Sequence, residues 1–177
     1  MRLYVLRHAT TDNNVKNLIN GRNDIDINGR GIKEAGVTSL ILKDFKFDTI
    51  YCSPLLRAKH TMEIINSNNA PVIYDERITE RDAGVMTNKE EKELDLTVWD
   101  NPDVGIIYGG SESFKEVLSR VDDFLKELKE KHKNDTILLV THGGVMKAIE
   151  TIIYGYPGIE EIVNWKYPNC VIKTYKL

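Results

Sequence analysis

Four apolar residues, Leu3-Tyr4-Val5-Leu6, run straight into Arg7-His8. The pattern returns at Ile137-Leu138-Leu139-Val140, which runs into Thr141-His142-Gly143-Gly144. A short unbroken apolar run fits a strand buried on both faces, as in a parallel sheet covered by helices. Ligands of such sheets bind outside the C-terminal ends of the strands. If both runs are parallel strands of one sheet, His8 and His142 leave it at the same edge. The chain has four histidines, and two of them occupy these matching places. Two ordinary loop histidines would give the same positions singly, but not with Arg7 beside one and Gly-Gly after the other.

The intervening chain alternates helix and strand signals. Asn28 is placed to cap a helix running to about Lys43, with Ile32, Ala35 and Leu40 as its inward stripe. Asp48 to Cys52 reads as the second strand. Ser53 is then expected as an N-cap, with Pro54 at the first helical position and Leu55, Ala58, Met62 and Ile65 facing inward. Arg57 falls in the first turn of that helix, where the macrodipole disfavours a cation. It is either solvated there or it faces a bound anion.

Pro71 to Tyr74 fits a short strand, and Ser113-Phe114-Lys115-Glu116 fits a capping box. The capping box opens the clearest helix, with Phe114, Val117, Leu118, Val121, Phe124, Leu125 and Leu128 on one face. Val145, Ala148, Ile149, Ile152 and Ile153 mark another, stopped by Gly155-Tyr156-Pro157-Gly158, and Cys170 to Tyr175 is a last strand at an edge. The order predicts an α/β fold: a three-layer α/β/α sandwich with a mostly parallel sheet and helices on both faces, in a single domain over 1–177. Residues 85–110 are polar and irregular, with a short helix expected in 89–94. So long a stretch without clear structure suggests function, and 81–110 is expected to be a substrate-facing loop or lid.

Composition narrows the function. The net charge of −3 argues against a nucleic-acid binder, so any anion site must be local. The two cysteines, Cys52 and Cys170, form no metal or redox motif. No signal peptide or membrane-length apolar run is visible, so a cytoplasmic enzyme or binding protein is the expectation. The sheet edge would collect Arg7, His8, Arg57 and His142 with the amide of Gly143. Two arginines, a histidine able to carry charge and a helix N-terminus suit a phosphate dianion. One histidine can serve as neutral nucleophile and the other as charged clamp.

These residues resemble the histidine phosphatases, the phosphoglycerate-mutase-like superfamily. The signature Arg-His-Gly-x-Thr-x-x-Asn reads here as Arg7-His8-Ala9-Thr10-Thr11-Asp12-Asn13-Asn14. Ser53-Pro54-Leu55-Leu56-Arg57-Ala58, Glu80 to Gly84, Gly110-Ser111-Glu112-Ser113 and Val140-Thr141-His142-Gly143-Gly144 match the further segments in order. Ala9 and Thr10 depart from the family pattern, as does Met86-Thr87-Asn88 where Trp-Glu-Gly is common. Thr10 bears on the pocket mouth.

The resemblance implies a phosphatase acting on small phosphorylated metabolites, α-ribazole phosphate or sugar phosphates among them, with no metal or cofactor. It implies His8 as nucleophile, Glu80 as acid and base, and Arg7, Arg57 and His142 as the phosphate cradle. Asn14 and the Gly143 amide are implied as further donors. Read from its neighbours alone, Glu80 is a carboxylate on a charged loop. Trp99 and Tyr108 are expected to shape selectivity. A bisphosphoglycerate-dependent mutase is the alternative, disfavoured by the short chain and by Asp82-Ala83, where mutases carry His-Tyr. A catalytically inactive phospho-ligand binding module is a third reading. Oligomeric state is not legible.

Overall fold

The computed structural model describes residues 1–177. Five strands form one sheet: β1 (Arg2–Arg7), β2 (Thr49–Cys52), β3 (Val72–Tyr74), β4 (Thr136–Thr141) and β5 (Ile172–Lys176), in the spatial order β3-β2-β4-β1-β5. All neighbours are parallel except β5, which lies antiparallel to β1 at the edge. The helices are α1 (Asp12–Val15), α2 (Gly29–Leu42), α3 (Leu56–Ile65), α4 (Leu96–Trp99), α5 (Phe114–Lys131), α6 (Gly143–Tyr154) and α7 (Ile159–Ile162).

The two-residue period of a strand divides the apolar runs between two layers. Leu3, Val5, Ile137 and Leu139 pack with Val121, Phe124, Val145 and Ile149 of α5 and α6. Leu6, Leu138 and Val140 turn the other way, onto Ala58, Met62 and Ile65 of α3 and Leu42 of α2. Helices therefore cover both faces, giving the expected three layers. Chain direction explains which helix goes where. From β1 to β2 to β3 the chain moves one way across the sheet, and it then returns to place β4 between β1 and β2. Right-handed crossovers must put the outward and the returning helices on opposite faces. With β4 central, Arg7 lies opposite Thr141 and Cys52 opposite Val140. His8, His142 and Ser53 thus follow three adjacent parallel strands and leave the sheet at one edge.

Several local expectations need correction. Ser53 does not cap α3. The N-cap is Leu55, with no side-chain bond, and the Leu56 N–H goes instead to Asp24 Oδ1 at 2.6 Å. The Ser53 hydroxyl is engaged by His142. The inward face of α2 consists of Gly31, Ala35, Thr38 and Leu42, whereas Ile32 and Leu40 are exposed. Small residues win because the helix lies against the loop after β1: a Cβ on Gly31 would collide with the Thr10 carbonyl. Residues 81–110 hold single 3₁₀ turns at Gly84–Met86 and Glu91–Glu93, then α4, so the expected helix in 89–94 is reduced to a turn. This segment has a small core of its own, in which Ile19, Ala83 and Met86 pack with Leu94, Trp99 and Tyr108. No helix is long and apolar enough to cross a membrane.

Candidate active site

The His8 ring is fixed by its neighbours. Nδ1 lies 2.8 Å from the Ala9 carbonyl and donates to it, which leaves the lone pair on Nε2. Arg57 Nε–H donates to that Nε2 at 3.2 Å. The backbone is held as well: Ala9 N–H donates to Thr61 Oγ1 at 3.0 Å, and Asn169 Nδ2 donates to the His8 carbonyl at 2.9 Å. His142 sits across from it, with ring centroids 5.1 Å apart, and its Nε2 lies 2.7 Å from Ser53 Oγ.

Arg57 is fully buried, and the carbonyls of Asn23 and Gly21 anchor its two terminal nitrogens at 2.8 Å each. Of the two alternatives for Arg57, solvation is therefore excluded: the guanidinium is buried beside the His8 ring. Arg7 reaches the Tyr167 carbonyl through one terminal nitrogen. Arg7 Nε and His142 Nδ1 are buried without any partner. A buried donor left unpaired costs about 1–3 kcal/mol, so Arg7 Nε calls for an acceptor, as does His142 Nδ1–H in the tautomer whose Nε2 accepts the Ser53 hydroxyl. A phosphoryl group offers several oxygens around one atom.

Glu80 and Asn14 complete the rim. Glu80 Oε1 accepts the N–H groups of Gly144 at 3.1 Å and Arg81 at 3.0 Å, which leaves Oε2 mostly uncommitted. Any side chain at 144 would obstruct this, because a Cβ there would sit 2.5 Å from Oε1. Asn14 Oδ1 accepts from Thr11 N–H at 3.1 Å and Asn169 Nδ2 at 3.2 Å. That network orients the Asn14 amide and frees its NH₂ for the cavity. Arg7, Asn14, Glu80, Gly143, Trp99 and Lys147 are among the lining of a cavity of about 470 Å³. His8, Arg57 and His142 are each 1% exposed or less and adjoin that lining through Arg7 and Gly143 rather than forming it. All seven residues expected from the sequence therefore converge.

Burial sets the electrostatics. Desolvation, followed by Arg57, pulls both His8 and His142 well below the ordinary imidazole value. Both rings are therefore neutral at neutral pH, in place of the charged clamp expected at His142. Burial also lowers Arg57 to about 10 and draws Arg7 down, while Glu80 pushes both back up. The arginines stay cationic at neutral pH. No group of three or more His, Cys, Asp or Glu side chains is arranged to hold a metal ion.

Two arginines, two neutral imidazoles and a carboxylate around one buried point, on this sheet, define the class. The chain belongs to the histidine phosphatase superfamily, branch 1, whose sequence model matches residues 3–176. Among relatives, it is 34% identical over 171 residues to an uncharacterised phosphatase, PhoE, of Bacillus subtilis, covering 96% of this chain and 85% of that one. It is 32% identical over 162 residues to phosphoserine phosphatase 1 of Hydrogenobacter thermophilus, covering 88% and 77%. The α-ribazole phosphatase structure from Shigella flexneri superimposes with a TM-score of 0.84 at 28% identity, covering 98% of this chain and 89% of that one. The relatives include both phosphatases and phosphoglycerate mutases, and a phosphatase role is supported.

Sequence reasoning missed several contributors. Gly21 and Asn23 act through backbone carbonyls, which carry no sequence signal. Tyr167 and Asn169 arrive from the segment before β5 and fasten Arg7, His8 and Asn14. The Ser53–His142 contact was open to discovery, since a Ser at a strand end can serve either a helix or a site. Thr10 does not reach the mouth: its hydroxyl and N–H both bind Glu34 of α2, at 2.6 and 3.2 Å.

Proposed function

We propose that this chain hydrolyses small phosphomonoesters without a metal, through a phosphohistidine on His8. The observation that carries the proposal is the His8 ring itself, neutral, with Nδ1–H spent on Ala9 and the Nε2 lone pair directed at Arg57. When a phosphoryl group enters, Arg57 Nε turns its N–H to a phosphoryl oxygen and uncovers Nε2. Nε2 attacks phosphorus, and the P–O bond to the leaving group breaks. Glu80 gives that oxygen its proton. Water then attacks the phosphorus as the P–N bond breaks, its proton passing to Glu80, and phosphate leaves. Arg7, Arg57, His142, the Asn14 amide and the Gly143 N–H hold the non-bridging oxygens. Most of the acceleration is electrostatic and comes from this preset cradle.

Phosphate release from p-nitrophenyl phosphate tests the proposal. Wild-type protein should turn over with no added metal and in the presence of a chelator, and His8→Ala should lose at least a thousandfold, on the order expected for loss of a nucleophile. Equal, slow release by both proteins would leave a phospho-ligand binding module instead. Interconversion of 3- and 2-phosphoglycerate, primed by bisphosphoglycerate and faster than phosphate release, would favour the mutase reading suggested by some relatives.

A further inference from the structure

Glu150 on α6 is a carboxylate that the mechanism does not use, and its side chain is only 12% exposed. Its Oε2 accepts the Tyr167 hydroxyl at 2.7 Å and its Oε1 the Tyr175 hydroxyl at 2.9 Å, with Lys173 Nζ 3.3 Å from Oε1. Burial, followed by Glu150, raises both phenols above their ordinary value, so both stay protonated donors. Apolar residues of the same shape would serve stability about as well as such a buried polar cluster. What the cluster adds is a fixed position for the Tyr167 side chain.

That position matters because of what the Tyr167 backbone does. Tyr167 lies in the irregular segment between α7 and β5. The residues after it are tied to the site by bonds of their own: Asn169 Nδ2 donates to the His8 carbonyl at 2.9 Å, and Cys170 N–H to the Arg7 carbonyl at 3.1 Å. No backbone-to-backbone hydrogen bond reaches Tyr167, and its carbonyl accepts a terminal N–H of Arg7 instead. The ring and hydroxyl of Tyr167 therefore set where that carbonyl stands. Arg7 also adjoins the start of α6, since a Cβ on Gly143 would stand 3.7 Å from its Nε and Cζ. Glu150 is two turns further along the same helix, roughly 10 Å away. One rigid element thus meets Arg7 at its first residue and, through Glu150 and Tyr167, holds the carbonyl that Arg7 grips.

We propose that Glu150 and Tyr167 are positioning residues for the phosphoryl site. Glu150 holds the Tyr167 hydroxyl on α6, the Tyr167 carbonyl then turns the Arg7 guanidinium, and the unpaired Arg7 Nε–H is aimed at a phosphoryl oxygen. This rests on the phosphatase reading above. Neither side chain makes or breaks a bond in the reaction, and both act through Arg7.

The test is a double-mutant cycle on Tyr167→Phe and Arg7→Ala. It is read as kcat/KM for p-nitrophenyl phosphate and as the Kd of inorganic phosphate by calorimetry. With Arg7 present, Tyr167→Phe should lower kcat/KM about tenfold and weaken phosphate binding in step, the cost of a misaimed donor. With Arg7→Ala in place, the same change should cost less than about twofold, because residues acting through one group are not additive. Glu150→Gln, which offers one acceptor oxygen in place of two, should follow the same pattern. General structural damage would instead cost as much in either background. A loss that persists in full without Arg7, or no loss with Arg7 present, overturns the inference and leaves the phosphatase standing. If wild type binds phosphate but hydrolyses nothing, the phosphatase reading fails, and the cycle in phosphate affinity still decides the inference. Neither binding nor hydrolysis overturns both. Should Arg7→Ala fail to fold, Arg7→Met supplies the second background.

Discussion

At the scale of the residue, function depends on which atom of each side chain is already spoken for. His8 gives Nδ1–H to Ala9 and keeps Nε2, while Glu80 uses Oε1 for two amides and keeps Oε2. Those leftovers are the groups a two-step transfer needs. On the proposed mechanism, Glu80→Gln removes the proton carrier and leaves the nucleophile, so the two steps should separate. With p-nitrophenyl phosphate, whose leaving group departs unaided, the variant should still phosphorylate His8. Water attack then lacks its base and should slow on the order of a hundredfold. Rapid-quench measurement should show a burst of nitrophenol close to one per protein, together with an acid-labile phosphoprotein. Steady release with no burst would count against Glu80 as the base.

At the scale of the element, α6 matters for the way it begins. Its first turn has no side-chain cap, and Gly144 lets the Glu80 carboxylate come down onto the helix end. Gly144→Ala puts a Cβ 2.5 Å from Glu80 Oε1 and must displace it. A misplaced acid should cost on the order of a hundredfold in kcat for an alkyl phosphate and far less for p-nitrophenyl phosphate, so dependence on the leaving group is the readout. Elements of this kind were legible in the sequence where a periodic apolar face or a cap declared them: α5 behind its Ser113–Glu116 box, β1, β4, and α2 behind Asn28. Reading failed where a small residue did the packing, as on α2, because Gly31 and Thr38 have no hydrophobic signature. It failed again at Ser53, whose hydroxyl had two possible uses, and in 85–110, where 3₁₀ turns show no period. Arg7, His8 and His142 were legible because side-chain chemistry at strand ends is explicit, whereas Glu80 and Asn14 came only with the family resemblance. The carbonyls that anchor the arginines were not legible, since they do not follow from local sequence.

At the scale of the whole molecule, two fully buried neutral imidazoles link stability to pH. Their native values lie well below 6.5, so between the native value and 6.5 the unfolded chain binds more protons than the folded one. Stability is then fully present above about 6.5 and falls as pH drops, by up to about 1.4 kcal/mol per pH unit for each ring. Urea unfolding followed from pH 8 to pH 5 should show this slope, and His8→Gln with His142→Gln should flatten it. The same central placement of the histidine strands has a kinetic side. β1 pairs only with β4 and β5, whose residues lie more than 130 positions later in the chain. As the polypeptide leaves the ribosome, β1 must wait, apolar and without neighbours, until most of the chain has been made. Strand pairing across such a separation is slow. The waiting segment is therefore the one a chaperone would be expected to shelter, and biogenesis, more than finished stability, is where this architecture is most exposed.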